Sequence, residues 1–518
     1  MRYFILFLLW LLYWESSAQI TFNKRVQLGC AQTVLTAIEA TDSCYYITGV
    51  AKDTNDCSIG ALFYKVDLQG NELAQRVYSL SNKLETWKGC LRTDVDGNLI
   101  VSGEIFDTGK VSALVIKYTP NGDTLWTRKY PDPGNPTGYF LRTDEFILAP
   151  DSSYLLAGQT NVVDTNSFVI MQIERDGRIR WHKNFGYDWN YCVRHSIVPL
   201  EDGFVMGYSN TDHNKRWIDY TTLCQIKKMD YNGNVLWEWQ NDSSVQYLGA
   251  NDLIQTKDKG WVVGTATGKE FLNTSGHTSR FAHDSYIFKL DSARNWLWGT
   301  QLRGYSYSNY SKVMKVVEQP DSSLLTFGIT ADTITMNGTL SGRYNLLVAR
   351  LSPNGDSLWS HQYYYTDQAW ATHEIFDVEQ TSDGGYLIAG QAKLSGQGVS
   401  QQGWLLKLDQ NGCLVPGCHL PDTTTSILPI TSQPQAQLKL YPNPAVDYLN
   451  VLYRNKQLGE KLTFRILDQQ GRVLQSYTAR DISDKTYLFP VWELLGGWYV
   501  LEVRQDGQLV GSEVFVKE

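Results

Sequence analysis

Few residues in this chain announce chemistry by their spacing. The candidates for acid–base work are Asp188, Arg194, His195, His373 and Glu374, because a carboxylate or imidazole beside a second titratable group can protonate a leaving group or activate water. No fixed-spacing motif singles out a pair among them, and eight His in 518 residues is unremarkable. The eight cysteines contain no Cys-x-x-Cys, so the usual zinc spacing is missing. No metal site and no cofactor is read from the sequence. Aromatic clusters are more frequent. Trp189 with Tyr191, Trp217 with Tyr220, Phe281, Tyr305 with Tyr307, and Trp370 all lie between strand-like segments. Tyr and Trp present large, stiff, amphipathic surfaces that suit a sugar ring or a protein partner. These eight are the candidate binding residues. The competing reading is that they pack the loops against one another.

The elements that must position them come from an internal repeat. An acidic turn followed by an apolar strand recurs at Asp42, Asp96, Asp151, Glu201, Asp258, Asp321 and Asp383, in steps of 54, 55, 50, 57, 63 and 62 residues. Each copy continues into a second apolar strand, an Asp/Asn-Gly turn and a further strand, as in ALVIKYTPNGDTLW ending at Trp126. Five of the seven copies place Trp at that point: Trp126, Trp181, Trp237, Trp298 and Trp359. A Trp at a fixed place in a repeat is expected to fill the same gap between neighbours each time. The acidic residues at the first turn read as turn formers that cap backbone amides. Each unit therefore holds four short strands, A to D, and four strands repeated seven times predict an all-β, seven-bladed β-propeller over residues 19–418. The last unit has Pro416 where its D strand should be, and Pro cannot donate to a central ladder. The segment from Ile20 to Val26 is a spare strand, with Phe22 in the place of the Trp, and is expected to complete the last sheet.

The A–B and C–D turns are short, whereas the B–C and D–A connections read as long and irregular, the stretch from Ala266 to Asp284 among them. In an up-and-down sheet these fall on opposite faces, so the candidate aromatics are expected to gather on one side, around the channel mouth.

The ends read as addresses. Arg2 precedes an apolar run from Phe4 to Trp14, and Ser16-Ser17-Ala18 supplies small residues before Gln19. This predicts a secretory signal peptide over residues 1–18, cleaved between Ala18 and Gln19. The run is shorter than the roughly 20 residues of a membrane span. An exported chain with an even number of cysteines can form disulfides, and Cys413 and Cys418 flank a Pro-Gly turn that could join them. Lys plus Arg is 46 and Asp plus Glu is 54, a net charge of −8, which makes nucleic acid a poor partner. Residues 419–437, rich in Pro, Thr, Ser and Gln, predict a linker. From residue 438 to 518 alternating apolar strands return, separated by Gly turns, and predict a small Ig-like β-sandwich.

Residues 438–518 resemble the type A C-terminal sorting domain of the type IX secretion system. The matching features are Tyr441-Pro442-Asn443-Pro444, the Leu467-Asp468-Gln469-Gln470-Gly471-Arg472-Val473 turn, Gly497-Trp498-Tyr499-Val500 and the closing Val514-Phe515-Val516-Lys517. Trp498 departs from the pattern, where a smaller or polar residue is usual. The resemblance implies passage through the periplasm and outer membrane of a Gram-negative cell, the type IX machinery as partner, removal of this domain near the linker, and surface attachment or release. The repeat region is similar to those often joined to such domains, and only faintly similar to quinone-binding propellers; its TPNGDTLW turn does not match a sialidase Asp box.

Three functions remain open: a monomeric surface module that binds a glycan or protein through its variable loops, an extracellular polysaccharide hydrolase or lyase using the same face, and a structural envelope protein. Binding is favoured, because fold alone assigns no chemistry.

Overall fold

Two kinds of hairpin turn, repeated along the chain, organise its larger part. At each C–D turn one residue takes the left-handed conformation. Gly70, Gly122, Gly177, Gly233, Gly355 and Gly412 do so with φ between 72° and 89°, and Arg294 does so at 72°. Glycine enters this region without a steric penalty. In six of the seven a polar residue at the start of the turn caps it. Asp230 Oδ1, for example, accepts from the amides of Asn232 (2.9 Å) and Asn234 (2.8 Å). These are tight turns with a one-residue bulge, whose twist matches that of the strands they join.

The structure, a computed structural model, describes residues 19–28, 32–52, 59–78, 90–107, 110–130, 141–162, 165–188, 196–211, 222–241, 249–272, 278–302, 311–336, 339–365, 371–393, 401–415, 417–419, 437–445, 448–454, 462–468, 472–479, 485–505 and 508–517. The predicted signal peptide and most of the predicted linker fall outside them. The chain divides into two units, Met1–Pro421 and Asp422–Glu518. Among the described residues no helix is long and apolar enough to cross a membrane.

The first unit is all-β. Among its described residues there are seven four-stranded antiparallel sheets, numbered here in chain order. Sheet 1 comprises Thr33–Ala40, Tyr45–Lys52, Ile59–Val66 and Glu72–Tyr78, as strands A to D. Sheets 2 to 6 repeat this order, with A strands Cys90–Thr93, Leu141–Leu148, Ser196–Leu200, Asp252–Gln255 and Lys312–Glu318. Sheet 7 has only three strands of its own, Thr372–Gln380, Tyr386–Lys393 and Gln401–Leu408. Its fourth place is taken by Phe22–Val26, antiparallel to Gln401–Leu408 with Phe22 opposite Lys407 and Val26 opposite Gly403. Gln19 adds to this junction: its side chain accepts from the Gln410 amide (2.8 Å) and donates to the Asp383 carbonyl.

No sheet shields its own faces. Separate apolar clusters join sheet 1 to 2, 2 to 3, 3 to 4, 4 to 5, 5 to 6, 6 to 7 and 7 back to 1. The repeated aromatic sits in these gaps, over the left-handed turn residue of the next sheet. A Cβ on Gly177, Gly233, Gly355 or Gly412 would lie 2.6–3.3 Å from Trp126, Trp181, Trp298 or Trp359 respectively. Trp181 and Trp298 also donate to the carbonyls of Tyr231 and Pro353 in those turns, each at 3.2 Å. Where the turn residue is Arg294, its guanidinium stands 4.7 Å from the centre of the Trp237 ring instead. Phe22 occupies the same relation to Gly70 of sheet 1, at 2.7 Å. The fixed aromatics therefore fill inter-sheet gaps.

The second unit holds a three-stranded sheet, Gln437–Tyr441, Tyr448–Arg454 and Lys485–Pro490, and a four-stranded sheet, Val473–Ala479, Leu462–Leu467, Gly497–Gln505 and Gln508–Lys517. One apolar cluster draws on both: Leu449, Val451 and Phe489 from the first, Phe464, Ile466, Leu501 and Phe515 from the second.

Candidate functional site

The predicted binding loops are placed only in part. Trp189, Tyr191, Trp217, Tyr220, Tyr305, Tyr307 and Trp370 lie outside the described residues, as do Arg194 and His195. Phe281 is described, and it corrects the reading of residues 266–284 as a loop. Strands Trp261–Leu272 and Thr278–Leu290 run antiparallel through most of that stretch, with Phe281 opposite Glu270. The B–C connections are also shorter than expected elsewhere. The paired strands of sheets 2, 3 and 6 end at Asp107 and resume at Lys110, end at Val162 and resume at Thr165, and end at Met336 and resume at Thr339. Polar residues in these outer strand ends hide the pairing, because strand ends beyond the core need no apolar alternation.

Of the acid–base candidates that are described, His373 and Glu374 do not converge. His373 is fully buried in strand A of sheet 7, with Nδ1 3.2 Å from the Tyr344 carbonyl and its ring edge-on to Trp404. Glu374 accepts from Gln391 Nε2 at 2.5 Å. Neighbours on a strand point to opposite faces, so His373 and Glu374 cannot serve one substrate atom together. Asp188 ends a strand opposite Asn166.

The short-turn face, in contrast, is described for every sheet. In sheets 5, 6 and 7 the acidic residue both caps the turn and holds a cation from strand C, and in sheet 4 Asp202 holds one as well. Lys228 meets Asp202 at 2.6 Å, Lys289 meets Asp258 at 2.6 Å, Arg350 meets Asp321 at 2.8 Å and Lys407 meets Asp383 at 2.9 Å. Burial opposes ionisation of Asp258, yet hydrogen bonds from Lys289 and Thr256 hold its carboxyl down at about 2. One open depression of about 890 Å³ interrupts this face. It is lined by Pro150, Pro199, Leu200, Glu201, Asp202 and Lys259 among others. It lies where sheet 4 turns within Glu201-Asp202, between Leu200 and Gly203, while sheet 1 uses four residues between Ala40 and Tyr45.

The A strands form the inner wall. Each packs against the A strands of both neighbours, in a cycle from sheet 1 to sheet 7 and back. Aligned by their pairing with strand B, one position is held by Ala37, Cys90, Glu145, Ser196, Asp252, Lys315 and Asp377. The next residue of the same orientation is Glu39, Arg92, Ile147, Val198, Ile254, Val317 or Glu379. A bulge just before the first position in sheets 1, 3, 6 and 7 re-aims these side chains. They reach the A strand of the following sheet. Asp377 accepts from the Ile38 amide (3.0 Å), Glu379 from Ala40 (2.8 Å), Glu39 from Thr93 (3.0 Å), Ser196 from Leu253 (3.1 Å) and Asp252 from Val316 (2.7 Å). Arg92 pairs with Glu145 at 3.0 Å. At the second position the wall is charged in sheets 7, 1 and 2 (Glu379, Glu39, Arg92) and apolar in sheets 3 to 6 (Ile147, Val198, Ile254, Val317), while Glu145, Asp252 and Lys315 keep charge at the first position of sheets 3, 5 and 6. Burial, together with Glu39 and Asp377, pushes the Glu379 carboxyl up to about 8, against the pull of Arg92. Sequence reading missed these residues. The available signal was a single charge set inside an otherwise apolar A strand, as in AIEA or CLRT. Among the described residues no group of three or more His, Cys, Asp or Glu is placed to hold a metal ion.

Of the cysteines, Cys413 and Cys418 form a disulfide with Cα atoms 5.6 Å apart, closing the C-terminal end of sheet 7. Cys44, Cys90 and Cys224 are buried, and the Cys90 thiol lies 3.7 Å from Glu145.

In the second unit the Tyr-Pro-Asn-Pro segment straps the last strand. Asn443 donates to the Val514 carbonyl (3.2 Å) and accepts from the Val516 amide (2.8 Å), and the Ala445 amide donates to Val516 (2.7 Å). Tyr441-Pro442 and Asn443-Pro444 are both cis. Tyr499 stacks on Phe515 and donates to the Leu495 carbonyl at 2.7 Å, while Gly497 opens its strand. Gly471 lies outside the described residues. The turn it belongs to is closed by Asp468, which accepts from the Arg472 amide at 2.9 Å.

Several solved structures share a distant likeness with the chain. One is the extracellular domain of the hybrid two-component system BT3049 from B. thetaiotaomicron, at 11% identity and a TM-score of 0.41, covering 94% of this chain and 55% of that one. This chain thus spans just over half of that domain. Others are the polysaccharide lyase Uly1 (9% identity, TM-score 0.43, 77% of this chain and 94% of that one) and the α-L-arabinofuranosidase Arb93A of Fusarium graminearum (10%, 0.39, 65% and 96%). At these TM-scores none of them assigns an activity here. No curated protein matches the chain. Residues 439–517 match the family of secretion system C-terminal sorting domains, so the protein carries the address read by the type IX secretion machinery and is exported to the cell surface or beyond it.

Proposed function

We propose that residues 19–418 are a seven-bladed β-propeller, carried through the periplasm of a Gram-negative cell by a cleaved signal peptide and an Ig-like sorting domain over residues 438–518. The propeller binds a glycan or a protein through its variable-loop face, the D–A and B–C connections. The observation that carries this reading is the division of labour between turns and connections. In six of the seven sheets the A–B turn is closed by a cap, and in sheets 4 to 7 the turn carboxylate is engaged in an ion pair. The candidate aromatics Trp189, Tyr191, Tyr305, Tyr307 and Trp370 fall instead in D–A connections, with Trp217 and Tyr220 in a B–C connection. Loops held by a rigid scaffold are where recognition is usually built. A hydrolase finds less support, because His373 and Glu374 point apart.

Mature protein on a glycan array, and as bait in a pull-down from the cell envelope, tests this. Trp189→Ala, Trp217→Ala and Trp370→Ala are expected each to weaken capture at least tenfold without changing the melting temperature. Unchanged capture by all three would remove the face assignment. Deleting residues 438–518 is expected to leave the protein in the periplasm, and normal surface display of that truncation would contradict the export route.

A further inference from the structure

We propose that the Cys413–Cys418 loop is an exclusion device: it denies the fourth place of sheet 7 to the chain's own continuation and so reserves that place for Phe22–Val26. Two segments of one chain fit the same edge. In five sheets the Trp of strand D stands opposite a fixed residue of strand C: Trp126 opposite Lys117, Trp181 opposite Gln172, Trp237 opposite Lys228, Trp298 opposite Lys289 and Trp359 opposite Arg350. In sheet 7 the corresponding residue is Lys407, and Phe22 stands opposite it. Each of those Trp also lies four residues after the left-handed turn residue, as Trp126 after Gly122; counted in the same way from Gly412, the place falls to Pro416.

The turn that leads there is the same as in the other sheets. The Asp409 amide donates to the Cys413 carbonyl (2.8 Å), the Gly412 amide to the Asp409 carbonyl (3.0 Å), and Asp409 Oδ1 accepts from the amides of Asn411 and Cys413 (2.8 Å each). In sheet 2 the Thr119 amide donates to Asp123 and the Gly122 amide to Thr119, both at 2.8 Å, and strand D begins at the next residue, Thr124. Leu414 thus enters the place of a D strand with the right turn behind it. A strand tethered by so short a turn closes at a smaller entropic cost than one from the far end of the unit, and it arrives on the fast timescale of a hairpin.

The disulfide forbids that outcome. Five residues of strand advance roughly 16 Å, whereas the Cα atoms of Cys413 and Cys418 are 5.6 Å apart. The chain folds back instead, with the Cys418 amide on the Val415 carbonyl (3.3 Å) and Gly417 left-handed at 89°. The loop is held towards sheet 6. Leu414 packs against the cluster shared by sheets 6 and 7. Tyr363 of sheet 6 donates to the Gly412 carbonyl (2.9 Å), and its hydroxyl lies 3.6 Å from Cys418 Sγ. The N-terminal strand fills the open edge, where Asn23 accepts from Trp404 Nε1 (2.7 Å) and donates to the Tyr364 carbonyl (3.0 Å). Residues 27–32 join this strand directly to Thr33–Ala40 of sheet 1, so its seat on sheet 7 staples the last sheet to the first. With residues 414–418 in that seat the staple would be lost.

The test is hydrogen exchange of the mature chain in three forms: unaltered, Pro416→Trp, and the triple variant Cys413→Ser, Pro416→Trp, Cys418→Ser. In the triple variant protection is expected to fall at least tenfold in residues 22–26 and to rise at least tenfold in 414–418. Protection in 401–408 stays level, because that edge is still covered. Pro416→Trp alone, with the disulfide closed, is expected to keep the unaltered pattern. Unchanged protection of 22–26 in the triple variant would overturn the proposal. So would a loss shared by 22–26, 401–408 and 414–418, which is what removal of a merely stabilising cross-link would leave, or a fall of equal size in Pro416→Trp alone. If the triple variant does not fold, Cys413→Ser with Cys418→Ser takes its place. A fall of at least threefold in 22–26 is then expected with 401–408 level, and no fall would overturn the proposal. None of these readouts involves a ligand, so failure here would leave the binding proposal standing.

Discussion

The two units use the same kind of strand and solve the burial problem in opposite ways. In the sorting domain two sheets close on one core, with Phe464 against Phe489 and Tyr487 at ring separations of 5.0 and 4.5 Å. In the larger unit each sheet has two apolar faces and no partner of its own, so seven separate clusters join seven sheets in a cycle. A single core makes stability all-or-none. A chain of nearest-neighbour interfaces spreads it, provided that the cycle is complete. The difference predicts that the larger unit is most sensitive at its closing strand, and the sorting domain at its centre.

Mutations can break or sharpen that contrast. Deleting residues 20–29 removes the fourth strand of sheet 7 and the Phe22 contact with Gly70. It is expected to have the largest effect, abolishing the cooperative melting of the first unit and most soluble yield. In the sorting domain Phe464→Ala is expected to cost about 3–5 kcal/mol, as for other large-to-small changes at a buried aromatic, and to unfold that domain while the melting transition of the first unit stays in place. Gly355→Val places a branched side chain at φ 89° and against Trp298. A loss of roughly 2–3 kcal/mol is expected from the left-handed backbone and the displaced ring together, read as a lower midpoint in chemical denaturation. Asn443→Ala removes two exposed hydrogen bonds to the last strand and should cost about 0.5–1.5 kcal/mol in the sorting domain. At the small end, Lys289→Met removes an ion pair whose Asp258 partner is more than half exposed, and a change below about 1 kcal/mol is expected.

Much of the larger unit was legible because its turns repeat. The Asp/Asn-Gly turns and the aromatic that follows them are local patterns, and the structure puts each such aromatic over the turn of the next sheet. Even the substitution of Phe22 for a Trp could be read, because the last repeat runs into Pro416 and the N-terminal segment has a strand to spare. The extended hairpin at 261–290 was less legible. Gly268, Lys269 and Glu270 break the apolar alternation, yet they pair with His283, Ala282 and Phe281. The inner-wall ties were invisible for a different reason. A carboxylate that accepts an amide from the adjacent sheet, as Asp377 does from Ile38, leaves no trace in its own neighbourhood of sequence. In the sorting domain Tyr441 to Pro444 was legible as a motif, but its work as a strap on residues 514–516 appears only with the strand it holds.

The account rests on a closed ring of sheets, each completed by its own strands except the seventh. An experimental electron-density map of the mature chain tests this most directly. It should show seven four-stranded sheets, with Phe22–Val26 hydrogen-bonded beside Gln401–Leu408 and the Phe22 ring over Gly70. Six or eight sheets, or an N-terminal segment seated anywhere other than on the seventh, would contradict it.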